Sequence, residues 1–597
     1  SYDSARETWR IVQGFRGSFE TWDWDAGLVM SEGTSHMDNH GRIDLTAFDA
    51  AIALNTPDAY NPFCAGIMPC NEEQLLTSIY RNNTSELMMV DFKMSNPNIY
   101  SLPAGDVGML VGAEIRYESH DDARDPNVDG TIQYTPPALA ANQVTFPFIS
   151  NISNSSPSPN TFGERTVSSV FVELQIPLAE NLYSQVAVRA ESADDYGDNV
   201  VGKFALGYEP TSWFKVRAST NTSHKAPNLI IVNEGLVVRN NSQEDALFSA
   251  ALADWYEQLN QDDDDENNQS DYPNYSFQRV AQGNPDLEAE ESTNTSLGLV
   301  LTPTDNLVIT IDKWEIAQEK TVGLFGERNH ILYDTLLRLR GGPTECTGNP
   351  NVIRFDYDAT SNDDPESTGY TGAWDESILC KAGTVQRVND TYLNLDDRTL
   401  KGTDYVVEYF VDTNYGSVSA KLMRVQFDEF KQDAGGVLAE VIAAGQPGGL
   451  LDGLIASAGY GDLLGTYDRR AYPETKDSMR LAWKHKRFDA FLTGTLIGSF
   501  EEIGPADDAI NSDGMYVCSG TTEYEGGTCG SNWVVDSMLT LNLTLGYKFK
   551  SGLRLRGSIR NLEDERAPLA DETTWGYVAD VHSDYGRSYS VELYKKF

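Results

Sequence analysis

The sequence predicts an all-β fold, a transmembrane antiparallel β-barrel with about seventeen strands present and long extracellular loops. Period-two alternation of apolar and polar residues recurs from one end of the chain to the other, as strands with one oily and one wet face require. The joins between these stretches alternate between tight and long, a segregation that an outer-membrane barrel shows and a soluble sandwich has no reason to show. No run of eighteen apolar residues occurs in the 597-residue chain, which excludes helical spans but not transmembrane strands of about ten residues.

The tight turns fall around Thr21, at Pro103–Gly105, around Glu180, and at Pro210–Ser212, Pro303–Asn306, Thr413–Gly416, Lys484–Arg487 and Lys550–Gly552. The other connections cover 35–86, 120–164, a short 192–198, 223–291, 320–397, 431–475, 503–532 and 563–584. Between them, Val170, Val172, Leu174 and Ile176 share one parity against Glu173 and Gln175, and Ser184, Val186, Val188 and Ala190 share one against Arg189 and Glu191. Phe204, Leu206 and Tyr208 stand opposite Lys203, Ala205 and Gly207, and Phe214, Val216 and Ala218 opposite Lys215, Arg217 and Ser219. Near the end, Val535, Leu539, Leu541, Leu543, Leu545, Tyr547 and Phe549 share a parity.

Ninety acidic residues against 45 basic ones give a formal charge of −45. Such a chain repels a phosphate backbone, so nucleic acid is excluded as a partner. Six cysteines form three local pairs, Cys64 with Cys70, Cys346 with Cys380 and Cys518 with Cys529. All lie in polar connections on the side of the long loops, which suits disulfides in an oxidising compartment; six unrelated thiols are the alternative, and the spacing is wrong for zinc. The chain opens at Ser1 with no charged-then-apolar leader, which reads as a processed or truncated start.

Particular residues then resemble those of TonB-dependent outer-membrane receptors. Gly283-Asn284-Pro285-Asp286-Leu287, followed by Glu288, Glu290-Glu291 and Ser292, is similar to the family's "GNPxLxPE" ahead of a mid-barrel strand. Lys225-Ala226-Pro227-Asn228-Leu229 resembles "FRAPNL", with His224 and Lys225 in place of Phe-Arg. Asn561-Leu562-Glu563-Asp564-Glu565 resembles "NLFDE", with Glu563 where Phe is usual, and Gly586-Arg587 precedes an alternating stretch ending at Phe597. The resemblance implies a barrel of the 22-strand type. It further implies that 1–597 is the C-terminal portion of that barrel, with the plug domain, the energy-coupling box and about five strands not in this sequence.

By the same resemblance the chain is expected to be an active transport receptor in the outer membrane of a Gram-negative bacterium. It would bind a siderophore, oligosaccharide, peptide or cobalamin with its extracellular loops and import it with TonB-supplied energy. The expected partners are membrane lipid and lipopolysaccharide, the TonB complex reached through a plug, the nutrient, and a surface lipoprotein. A passive porin or a structural, adhesin-like barrel is the alternative. No nucleophile–base motif supports an enzyme, and no cofactor is expected beyond Ca2+ at acidic outer loops.

Within this frame, parity points Arg116, Arg189, Lys203, Lys215, Arg217, Lys548, Arg554, Arg556 and Arg560 into the lumen. There they either pair with neighbours such as Glu114, Glu173 and Glu191 or hold a plug. Trp255, Tyr256, Tyr272, Tyr275, Tyr333, Trp374, Tyr516 and Tyr524 are aromatic loop residues able to stack on a ligand. Asp262 to Glu266 is an acidic run, solvated or cation-binding. Segment 436–464 reads as a short loop helix or packed lid, broken at Gln446-Pro447-Gly448-Gly449. His36-x-Asp38-x-His40 is read as a pair in an outer loop, with metal ligation the lesser alternative.

Overall fold

The computed structural model describes residues 1–64, 69–136, 149–251, 274–356, 380–446, 448–451, 461–468, 470–502, 533–570 and 576–595. Its main sheet has 21 strands, four of them short loop strands and seventeen forming an antiparallel meander. We number the seventeen β1 (Tyr2–Phe19), β2 (Trp22–Ile43), β3 (Leu76–Leu102), β4 (Gly105–Arg124), β5 (Thr161–Ala179) and β6 (Leu182–Ala193). Then come β7 (Gly197–Thr211), β8 (Phe214–Lys225), β9 (Glu290–Thr304), β10 (Leu307–Leu324), β11 (Val385–Thr413) and β12 (Gly416–Ala434). The last are β13 (Thr475–His485), β14 (Phe488–Ile497), β15 (Met538–Lys548), β16 (Leu553–Arg560) and β17 (Ser588–Lys595).

Each tight turn anticipated from the sequence joins two of these strands. At one of them the residue type is dictated by space, because Gly416 has φ +113 and a Cβ there would lie 2.2 Å from the Lys484 carbonyl oxygen. No side chain fits that approach.

Register carries one apolar face across the sheet. Val172 pairs with Val188, Val186 with Phe204, Leu206 with Ala218, Ala218 with Leu297, Leu299 with Ile311, and Ile311 with Tyr405. The row continues through Val407 with Leu422, Leu422 with Met479, Leu481 with Leu492, Leu492 with Leu543 and Leu543 with Ile559. This face is not packed against a second sheet. Val170 is 59% exposed, Leu422 54% and Leu545 55%. So much unburied aliphatic surface is stable in hydrocarbon and not in water.

The strands run further outward than alternation indicated. The first long connection shrinks from 35–86 to 44–75, and the one before β11 from 320–397 to 325–384. His36, Asp38 and His40 therefore stand on β2, not in a loop. Val535, expected to share the β15 face, belongs to a short separate strand and is buried among loop residues.

The long connections have a core of their own. Strands 237–244 and 274–282 form a hairpin, the second of which runs parallel to residues 387–391 of β11, while 352–354 pairs with the start of β11. Over this sheet packs α2 (Glu327–Gly341), with α3 (Gly436–Ala444), inside the segment expected to be a short loop helix or packed lid, lying against it, while α1 (Leu229–Asn233) rests on β5 and β4. Phe277, Ile331, Leu332, Leu336, Val385, Val388, Val441 and Leu451 make one buried cluster. Three loops distant in sequence thus fold as a single lid.

Candidate functional site at the extracellular mouth

The site is built where two of the sequence motifs meet. β8 ends at Lys225, and the next carbonyl that matters, that of Pro227, accepts from the buried Arg165 guanidinium at 2.6 Å. Asn228 then caps α1, its Oδ1 accepting from the Ile230 N–H at 2.9 Å. The Gly283 N–H donates to the Glu234 carbonyl at 2.9 Å and the Asn284 N–H to that of Ile231 at 3.0 Å. Only glycine tolerates this approach, since a Cβ at 283 would sit 2.6 Å from the Glu234 nitrogen and 2.8 Å from the Val232 oxygen.

From that turn the Asn284 amide donates to the Tyr392 carbonyl at 2.8 Å. The Glu288 N–H donates to Asn394, whose amide in turn donates to the carbonyls of Glu288 and Lys320. Lys320, at φ +58, places its ammonium 2.7 Å from Glu288 and 2.8 Å from Glu291, and these carboxylates hold its pKa well above the usual lysine range. The Gly-Asn-Pro turn is therefore a knot tying α1, β10 and β11 at the mouth.

The third motif closes the other end of the sheet. Asn561 adopts φ +52, accepts from the Glu565 N–H at 2.9 Å and donates to the carbonyls of Glu565 and Tyr585. Asp564 accepts from the Arg587 N–H at 2.6 Å, so the box and the Gly-Arg before β17 form one turn.

Charge at the mouth is paired in a chain that reaches the lid. Arg81 and Arg124 both bind the buried Asp122, at 2.7 and 2.8 Å. Glu234 lies in the field of Arg124, Arg239 and Arg81, but burial dominates and raises its pKa. Arg279 binds Asp390 at 2.8 Å and Glu327 at 3.1 Å. Burial works against the Asp390 charge, yet bonds from His330, Arg279 and the Gly326 N–H prevail and lower its pKa. Inside the lid, Arg354 donates to Asp245 at 2.6 Å and to Asp334 at 2.8 Å, and Arg338 also meets Asp334 at 3.1 Å.

Of the basic row expected in the lumen, five residues have acidic neighbours. Arg116 meets Glu114 and Glu118, Arg189 meets Glu114 and Glu191, Lys215 meets Glu209, Arg217 meets Asp312 and Arg554 meets Asp489. Glu173 is bonded instead by Gln185. Among the described residues Lys203, Lys548, Arg556 and Arg560 have no acidic partner, though Arg556 lies over the Phe491 ring.

Cys64–Cys70 and Cys346–Cys380 are disulfides, whereas Cys518 and Cys529 lie outside the described residues. Trp255, Tyr256, Tyr272, Trp374, Tyr516, Tyr524 and the run Asp262 to Glu266 also lie outside them. Tyr275 stands on the loop hairpin. Tyr333 stands on α2 and borders a cavity of about 500 Å3 between the lid and the upper ends of the strands. Asn284 and Asp286 border it too; the sequence offered them as a strand approach and gave no sign of this second role. His36 and His40 bond Asn82, Asp38, Ser78 and Asp3, and no group of three metal-ligating side chains occurs among the described residues.

A family model described as TonB dependent receptor-like, beta-barrel, matches residues 2–320. Among solved structures, a mutant of the ferric enterobactin receptor PfeA from Pseudomonas aeruginosa superposes with a TM-score of 0.54 at 15% identity. That match covers 99% of this chain and 62% of the other. The outer membrane transporter YddB from Escherichia coli gives 0.53 at 9% identity, with the same two coverages of 99% and 62%. At such identities the likeness is one of fold, and this chain spans about three fifths of the length of those proteins. No curated protein sequence matches it.

Proposed function

We propose, from the premise that the chain belongs to the TonB-dependent receptor β-barrel family of the Gram-negative outer membrane, that it captures a nutrient at its lid and passes it inward with energy supplied through TonB. The observation that carries this reading is the asymmetry of the sheet, with its aliphatic band, eight tight turns on one rim and loops folded into a cored lid on the other. A plug domain is the natural counterpart of the unpartnered lumen cations Lys203, Lys548, Arg556 and Arg560. Arg554 is less suited to that role because Asp489 already binds it.

The test is uptake by cells producing the full-length gene product, with TonB intact or deleted, under iron limitation and on defined glycans or peptides. Active import requires TonB. A passive porin would admit its solute equally in both strains, which would refute the proposal. Reversing Lys548 and Arg556 together to Glu is expected to loosen the plug and raise passage of a large antibiotic; unchanged passage would remove these cations from the plug's seat.

A further inference from the structure

We infer that the cavity between lid and strands binds a neutral oligosaccharide, an assignment that rests on the receptor reading above and names the class of its cargo. The cavity measures about 500 Å3, within the range of small-molecule sites. Its apolar wall is Leu393, Leu395 and Val437, and the Tyr333 ring adds a face on which a sugar ring can stack.

Three polar groups border it with no side-chain hydrogen bond to protein among the described residues: the Asp286 carboxylate, the Asn351 amide and the Tyr333 hydroxyl. A carboxylate accepts from two hydroxyls, an amide donates to one oxygen and accepts from another, and a phenol does either. That set is matched to a polyol. The other polar lining groups are already engaged, Asn284 with Tyr392 and Asp286, Asn394 with Glu288 and Lys320, and Asn349 with His330.

Charge separates this class from the others. Among the described residues no lysine or arginine lines the cavity, and the one imidazole there, His330, is buried between Asn349 and Asp390. An anionic iron chelate would meet Asp286 with no compensating cation, and a peptide carboxylate would find none either. Neutral hydroxyls meet neither obstacle.

The experiment is calorimetric titration of the purified full-length protein with maltohexaose, laminarihexaose and xylohexaose, and with ferric enterobactin as the anionic comparison. At least one hexaose is expected to bind, and Asp286→Ala and Asn351→Ala, both at exposed positions, are each expected to weaken it about tenfold. Binding of no hexaose, or binding that both variants leave unchanged, would overturn the assignment. TonB-dependent uptake of ferric enterobactin without hexaose binding would refute the cargo class and leave the receptor reading standing. A hexaose that binds as expected but enters cells lacking TonB equally well would do the reverse.

Discussion

Replacing Arg354 with methionine should open the lid and spare the strands. Arg354 is 4% exposed, and its guanidinium is shared between Asp245, 1% exposed, and Asp334, which is fully buried. Methionine fills part of the volume but leaves both carboxylates without that cation. Asp334 keeps Arg338 and the Asn349 N–H, while Asp245 keeps the Leu247 N–H at 3.2 Å. Removing one partner of a buried pair costs about 3–5 kcal/mol. Because these groups bridge two loops and not two barrel strands, the loss falls on lid opening. Hydrogen exchange of the α2 amides from Ile331 to Leu336 is therefore expected to quicken by about two to nearly four powers of ten, with strand amides such as Val186 and Val188 unchanged. Adding Asp245→Asn and Asp334→Asn removes the stranded charges and should restore much of the protection. Unchanged exchange in α2, or equal acceleration in the strands, would refute the reasoning.

Three further outcomes follow from the same geometry. His582 is buried against Phe500 in a second loop cluster, neither ring nitrogen has a hydrogen-bond partner among the described residues, and burial lowers its pKa. The folded loop thus resists a proton that the unfolded loop accepts, so the cluster of Phe500, Val535, Ala570 and Val578 should loosen as pH falls below about 6.5; His582→Phe should flatten that dependence in exchange measurements between pH 8 and pH 5. Gly283→Ala drives a methyl into the Glu234 nitrogen and Val232 oxygen and should destabilise the mouth by about 1–3 kcal/mol, seen as faster proteolysis after α1. Asn561→Ala removes the side-chain bonds that join Glu565 and Tyr585 and puts alanine at φ +52, so the folded, heat-modifiable band of the protein on gels should fade.

What the sequence made legible was the part of the wall that touches lipid. Val170 to Ile176 must alternate because hydrocarbon lies on one side and water on the other, and every tight turn could be placed from such stretches. Above the bilayer both faces are wet. Ser31-Glu32-Gly33-Thr34-Ser35-His36 therefore carries no hydropathy period although it is paired strand on both sides, and β2 seemed to stop too early. The lid core was hidden for a different reason. Phe277, Ile331 and Val441 sit in three separate connections and Val385 at the start of β11, and only their assembly makes a core. The Gly-Asn-Pro motif was visible as a pattern, yet its knot with α1 and β11 depends on contacts about 50 residues away in one direction and over 100 in the other.

The length of β11 has a consequence for how anything arriving from outside meets this protein. It has 29 residues, of which about ten suffice to cross the hydrocarbon. Residues 385–391 belong to the lid sheet, and the rest of the wall, tilted, rises on the order of 30 Å above the bilayer. The rim is thereby lifted through the sugar layer that coats the cell, like the lip of a chimney above a roof. Trimming a loop would leave that height untouched, whereas a proline in the upper part of β11 or β12 would lower it.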